Sequence, residues 1–283
     1  MTEIIIPEDS LLYQLLYETT LNRRIVLFAG LPGVGKSLFL QQLALMAHQV
    51  GRVIHLLQWD VTRNVFETDA LLAKYPEIDG VTHAAIRKAV GLWTRQGVLA
   101  WHQHYADPKH LLIGEVPLIG NRLIELAQRQ EDDAESLLRG EQTHFLIPVP
   151  SAAVRREIES ARQKTLTSPQ HERETVDAMP NVMQLLWDEL YSLARQMGIV
   201  TVQNAAYDPN IYARVYLHLL RHRYAERLDI DHVLSVTASV YDLHVIESEL
   251  AATPEQVEHF MAQVENTFSK SELEKAVAEW YRV

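Results

Sequence analysis

The chain has 283 residues, 47% hydrophobic and 22% charged, which is apolar mass enough for a full globular core. Its formal net charge of -11 argues against a nucleic-acid partner. The absence of cysteine excludes disulfides, zinc-thiolate sites and cysteine nucleophiles.

Residues 1–16, "MTEIIIPEDSLLYQLL", lack a basic region followed by a long apolar run, so no signal peptide is expected. No apolar stretch reaches the roughly 18 residues a membrane helix needs, so a cytoplasmic protein without a membrane partner is expected. Residues 7–22 carry apolar side chains at helical spacing behind the start signals Pro7 to Ser10. "RRIVLFAG" (23–30) reads as a buried strand running into glycine, and 36–50 as an amphipathic helix closed by Gly51. Further buried strands are expected at 52–59, 110–116, 143–149 and 198–204. Helical patterns at 81–96, 117–139, 151–165 and 181–197 separate them, and strands alternating with helices imply a doubly wound parallel sheet. After residues 207–228 the tail to Val283 reads as all-helical, with Thr253 and Pro254 as N-cap and first residue of one helix.

Between the first strand and its helix lies "GLPGVGKS", which fits G-x-x-x-x-G-K-[ST] with Gly30, Gly35, Lys36 and Ser37 in the fixed places. Gly30, Gly33 and Gly35 let successive backbone N–H groups turn toward one anion, and the following helix adds its positive end. The residues from Gly30 through Leu31, Pro32, Gly33, Val34, Gly35, Lys36 and Ser37 to Leu38 are therefore expected to cradle the phosphates of a nucleoside triphosphate. Lys36 would reach the β- and γ-phosphates, and Ser37 would ligate Mg²⁺.

This stretch is similar to the loop of P-loop kinases and AAA-type ATPases, where a proline-glycine pair often precedes x-G-K. No Asn-Lys pair occurs anywhere, so the guanine-reading Asn-Lys-x-Asp of GTPases is missing and ATP is the expected nucleotide. Asp60 and Arg63 follow the second strand, on the carboxyl edge where such sheets bind ligands. There Asp60 would position or deprotonate an acceptor hydroxyl, and Arg63 would hold an anionic acceptor or the moving phosphoryl group; the alternative is a solvated turn with Asp60 capping a helix. Glu115 closes the third strand, where an acid beside the phosphate loop would hold Mg²⁺ or polarise the nucleophile. The segment resembles the D-G-F-P-R of nucleotide kinases and the E-G-T of zeta-toxin-like kinases, but Arg122 stands several residues later than that pattern wants.

Residues 151–180 are strongly charged, and Arg155 and Arg162 fall seven apart on one helical face, with Arg156 and Lys164 nearby. P-loop kinases resemble this arrangement in their lid, whose arginines close on the phosphates and exclude water; the alternative is a solvated helix with Glu157 and Glu159 as ion-pair partners. Tyr207 to Asn210 follow the expected fifth strand, where related kinases pack a loop against adenine. Trp59, Trp93 and Trp101 read as core, with stacking on an acceptor ring as the alternative. His218 and His222 lie one helical turn apart without an identifiable third metal ligand.

The resemblance to nucleoside, nucleotide and zeta-toxin-like kinases covers roughly residues 23–225. It implies a three-layer α/β/α P-loop fold with a five-stranded parallel sheet. The core would span 1–227, including a lid at 151–180, with a C-terminal helical extension over 228–283. It further implies ATP and Mg²⁺ as cofactors, catalysis by Lys36, Asp60, Arg63, Glu115, Arg155 and Arg162, and transfer to a small-molecule acceptor. A homodimer is compatible with it. Two competing readings stay open: a regulatory or AAA-like ATPase acting on a protein partner, and a degenerate kinase fold that only binds nucleotide.

Overall fold

A computed structural model describes residues 3–78, 80–167, 171–176, 178–201, 206–236 and 239–283. The chain opens with α1 (Leu11–Asn22), whose N-cap Ser10 accepts from the Tyr13 amide. β1 (Ile25–Ala29) and α2 (Lys36–Gln49) flank the glycine loop, and β2 (Val53–Gln58) passes directly into α3 (Trp59–Asn64). After α4 (Asp69–Lys74) and the long α5 (Ala84–His104) come β3 (His110–Val116), α6 (Glu135–Arg139) and β4 (Thr143–Pro150). The second half contains α7 (Ala152–Thr167), α8 (Pro180–Gln196), α9 (Pro209–Leu219), β5 (Ala225–Ile230), β6 (Ile246–Glu249), α10 (Pro254–Thr267) and α11 (Lys270–Ala278). No helix among the described residues is long and apolar enough to cross a membrane.

Among the described residues the strands form one open, all-parallel sheet in the order β5-β4-β1-β3-β2-β6. Strand alternation divides the core into two layers. Ile25, Leu27 and Ala29 of β1 face the layer that holds α5, α8, α9, α10 and α11. Val26 and Phe28 face the other, with α1 and α2. The most deeply placed strands, β1 and β3, read as apolar runs because both faces are covered.

The structure departs from the sequence expectation in three places. Residues 117–139 do not form one helix: Leu118, Gly120, Asn121 and Leu123 all take positive φ, and only a 3₁₀ turn (Ile124–Leu126) and α6 follow. The carbonyls a helix would use internally go to two buried arginines: Arg95 donates to Glu125 O (2.6 Å) and Gln128 O (3.0 Å), and Arg223 to Leu126 O (2.6 Å) and Gln128 O (2.6 Å).

The strand expected at 198–204 is a turn and irregular chain over 198–201, and 202–204 lie outside the described residues. The fifth strand in chain order is instead β5, which follows α9 where no strand is expected. Finally, the tail is not all-helical, because β6 pairs with β2 and the sheet therefore has six strands. The expected boundary at 227/228 falls inside β5. Both missed strands are sheet edges and keep polar, partly exposed residues, so neither shows the apolar run of a central strand.

Candidate functional site

The site grows from the junction of β1, its loop and α2. Gly33 and Gly35 hold φ of 74° and 93°, the left-handed region open to glycine, and a side chain at Gly33 would run into the end of Met183. Leu31 and Val34 are buried beneath the loop, which fixes its path from below. Lys36 begins α2 and is only 5% exposed. Its Nζ donates to Leu31 O at 2.9 Å and lies 3.3 Å from Glu115 Oε1.

Glu115 arrives there for a topological reason. β3 lies beside β1 with Glu115 in register with Phe28, and alternation along β3 puts Glu115 on the side of Leu111 and Ile113, where α2 packs. Ser37 Oγ donates to Glu115 Oε2 at 3.0 Å, so one carboxylate takes the lysine on one oxygen and the serine on the other. Burial pushes the Lys36 ammonium below the ordinary lysine range; Glu115 opposes that shift, while Arg162 and Arg155 add to it.

These groups open on a cleft of about 1100 Å³ at the carboxyl edge of the strands. It brings together the loop from Pro32 to Leu38 with Asp60, Arg63, Glu115 and Arg162. Asp60 stands in the first turn of α3 with its carboxylate open to the cleft. The surrounding walls push its pKa up, Arg63 pulls it down, and Glu115 pushes it up again. Arg63 is held among carboxylates, 3.8 Å from Asp60, 3.4 Å from Glu67 and 3.7 Å from Glu77, and also donates to Thr82 Oγ1 at 3.3 Å. Its guanidinium thus ties α3 to the chain ahead of α5 while lining the cleft.

Arg155 is buried in the first turns of α7 and donates to Pro32 O at 2.9 Å, with Glu159 at 2.7 Å and the Tyr207 ring 5.5 Å away. This arginine fastens α7 to the loop. Arg162, two turns on, lines the cleft, whereas Arg156 turns outward and donates to Ala152 O. The side chain of Lys164 lies outside the described residues. Tyr207 donates to Pro150 O at 3.0 Å, Asp208 caps α9, and Asn210 accepts from Arg227, so these side chains serve the fold. Trp59, Trp93 and Trp101 are all core, and Trp59 also lines the cleft. Among the described residues no group of three or more potential metal ligands forms, and His218 and His222 belong to none.

Sequence reasoning missed the rest of the wall. Arg173 donates to Gln58 Oε1 (2.8 Å) and Glu249 (3.0 Å), joining the 3₁₀ segment Glu172–Val176 to the ends of β2 and β6. Ser239 donates to Glu174 (2.6 Å) and accepts through its carbonyl from Gln41 (3.0 Å), which pins the chain after β5 to α2. These partners are 65 to 198 residues apart, so no local pattern signals them. No protein-family model and no curated protein matches the chain.

Proposed function

We propose that the loop from Gly30 to Leu38 is a P-loop that binds the phosphates of ATP. On this reading the fold is the three-layer P-loop architecture, and the chain transfers the γ-phosphoryl group of ATP to a small acceptor. The observation that carries the reading is the double use of Glu115, which gathers Lys36 Nζ and Ser37 Oγ at the mouth of a cleft about 1100 Å³ in size. That volume holds more than a triphosphate alone and leaves room for a second molecule.

Ser37 and Glu115 would hold Mg²⁺, since a hydroxyl and a carboxylate are the hard oxygen ligands that ion takes. The ion's chemistry there is neutralisation of charge on the phosphoryl oxygens. Lys36 and the loop amides hold the phosphates, with the ammonium already positioned by Leu31 O and Glu115. An Asp60 carboxylate oxygen orients the acceptor hydroxyl and accepts its proton; a raised pKa makes it the stronger base. Arg155 keeps α7 over the loop, and Arg162 brings positive charge to the covered site, which favours transfer over hydrolysis by excluding water.

The test is ADP release from Mg·ATP with a panel of nucleosides, nucleotides and sugars. Release that depends on one acceptor and vanishes in Lys36→Ala supports transfer, and Asp60→Asn should lose transfer while keeping ATP affinity. Acceptor-independent release that rises with protein concentration would replace transfer by hydrolysis in an assembly. Unchanged nucleotide affinity in Lys36→Ala would remove the nucleotide site altogether.

A further inference from the structure

Arg122, like Arg63 and Arg173, is an arginine of the cleft wall that this mechanism leaves unused, but its surroundings differ from theirs. Arg63, Arg155 and Arg173 each have a carboxylate within 4.0 Å. The Arg122 side chain makes one hydrogen bond, from Nη1 to Ile119 O at 3.2 Å, and among the described residues it has no ion-pair partner. Another guanidinium stands beside it: Arg87 donates to Gly120 O, and a Cβ on Gly120 would collide with Arg122 Nη1. The charges that act on Arg122 are Glu189 and Asp60, which attract, and Arg63 and Arg87, which repel. A cation desolvated in this way, with a like charge next to it, is an incomplete arrangement.

The backbone holds Arg122 there at a cost. Leu118, Asn121 and Leu123 have φ of 63°, 60° and 63°, and side chains rarely adopt that region. The turn is locked by reciprocal bonds between Leu118 and Arg122 (2.9 and 3.3 Å) and by burial of both leucines. From below, Asn121 donates to Glu125, whose buried carboxylate is also held by Lys88 at 3.0 Å. Strain of this kind persists where the surroundings over-determine a position. The same cleft is lined by charged and apolar side chains alike, Asp60 and Arg63 as well as Trp59, Ile119, Val182 and Leu186.

We infer that Arg122 is the acceptor-recognition residue of the cleft and that the acceptor carries an anionic oxygen group, phosphate or carboxylate. A guanidinium offers the planar pair of donors such groups accept. This rests on the phosphotransferase reading for the word acceptor, whereas the anion site itself does not.

The full chain, labelled for the arginine Nε–Hε signals, is titrated with inorganic phosphate and separately with acetate. Arg122→Lys assigns the signal by its loss. The Arg122 signal should shift with the anion both in the unsubstituted chain and in Lys36→Ala, where the lysine contact of the loop is gone and its amides remain. Adding Arg122→Gln to Lys36→Ala should weaken anion binding at least tenfold, with the melting temperature as a check on folding. A larger response to phosphate than to acetate assigns a phosphorylated acceptor, and the reverse a carboxylate. An Arg122 signal that stays still in both backgrounds overturns the inference, as does anion binding unchanged by Arg122→Gln. Loss of the ATP reading with the Arg122 shift intact would leave an anion site without a kinase.

Discussion

The two walls of the cleft are built by different means. The loop wall rests on β1 and β3, whose backbone pairing runs from Ile25↔Leu112 to Ala29↔Val116 and whose β1 residues are all buried. The opposite wall, made of α7, the 172–176 segment and the chain after β5, meets the loop wall through a few side-chain bonds. These include Arg155 to Pro32 O, Arg173 to Gln58 and Glu249, and Gln41 to Ser239 O. Apolar side chains stay uncovered on this second wall, with Met179 53%, Val233 55% and Val236 47% exposed. A wall of ladder bonds and core moves only when the domain unfolds, whereas one held by links of about 1 kcal/mol each can open locally. On the proposed reading the first wall is pre-formed for phosphate, and the second is suited to close over it.

The largest expected effect comes from breaking the first wall's chemistry. Glu115→Gln keeps an acceptor for the Ser37 hydroxyl but removes the charge that balances buried Lys36. Burial then lowers the Lys36 pKa without opposition, so neutral lysine forms at lower pH than before. Mg²⁺-dependent turnover should fall by about 10²-fold or more, in line with loss of one charge-stabilising group. ATP-analogue affinity, measured by calorimetry, should fall far less. Next comes the wall's shape. Gly33→Val places a β-branched residue at φ 74° and against Met183, and the melting curve should show a loss of about 2–3 kcal/mol.

How legible each wall was in the sequence follows from the same contrast. Gly30, Gly35, Lys36 and Ser37 sit at fixed spacing, and the strands flanking them are unbroken apolar runs, so the first wall was readable from short windows. Glu115 was readable because it ends such a run. The second wall depends on Arg173 meeting Glu249, and Ser239 meeting Gln41 and Glu174, contacts that exist only once the chain is folded. Residues 117–139 carry helical apolar spacing, while the arginines that take the carbonyls of Glu125, Leu126 and Gln128 lie far away in the sequence at Arg95 and Arg223.

Acid should separate the walls as well. His55 of β2 and His144 of β4 are buried in the sheet, and burial pulls both down to about 4, reinforced by His110 and by Arg23 respectively. Folded values below the unfolded 6.5 mean the unfolded chain binds more protons as pH falls. The stability these neutral histidines provide is therefore present above pH 6.5 and is lost between there and about 4. The expected loss from pH 7 to 5 is about 1–2 kcal/mol for each, read by denaturant titration. His55→Gln or His144→Gln should flatten that slope. A slope that survives both substitutions would place the acid sensitivity outside the sheet.

The smallest effect on stability is the one that decides the contrast. Arg173 is 41% exposed at its side chain, so Arg173→Ala should cost less than about 1 kcal/mol in global unfolding. Yet it removes both links from the 172–176 segment to the ends of β2 and β6. Amide exchange in that segment should therefore quicken several-fold while α2 and β1 keep their protection, and added salt should produce the same pattern in the unsubstituted chain by screening the pair with Glu249. If the substitution instead lowers protection evenly through β1 and β3, the second wall belongs to the same cooperative unit as the first. Closure over a ligand would then require motion of the whole domain. Local quickening, in contrast, makes Arg173 a latch whose release costs little, so that on the proposed reading a nucleotide enters without movement of the loop wall.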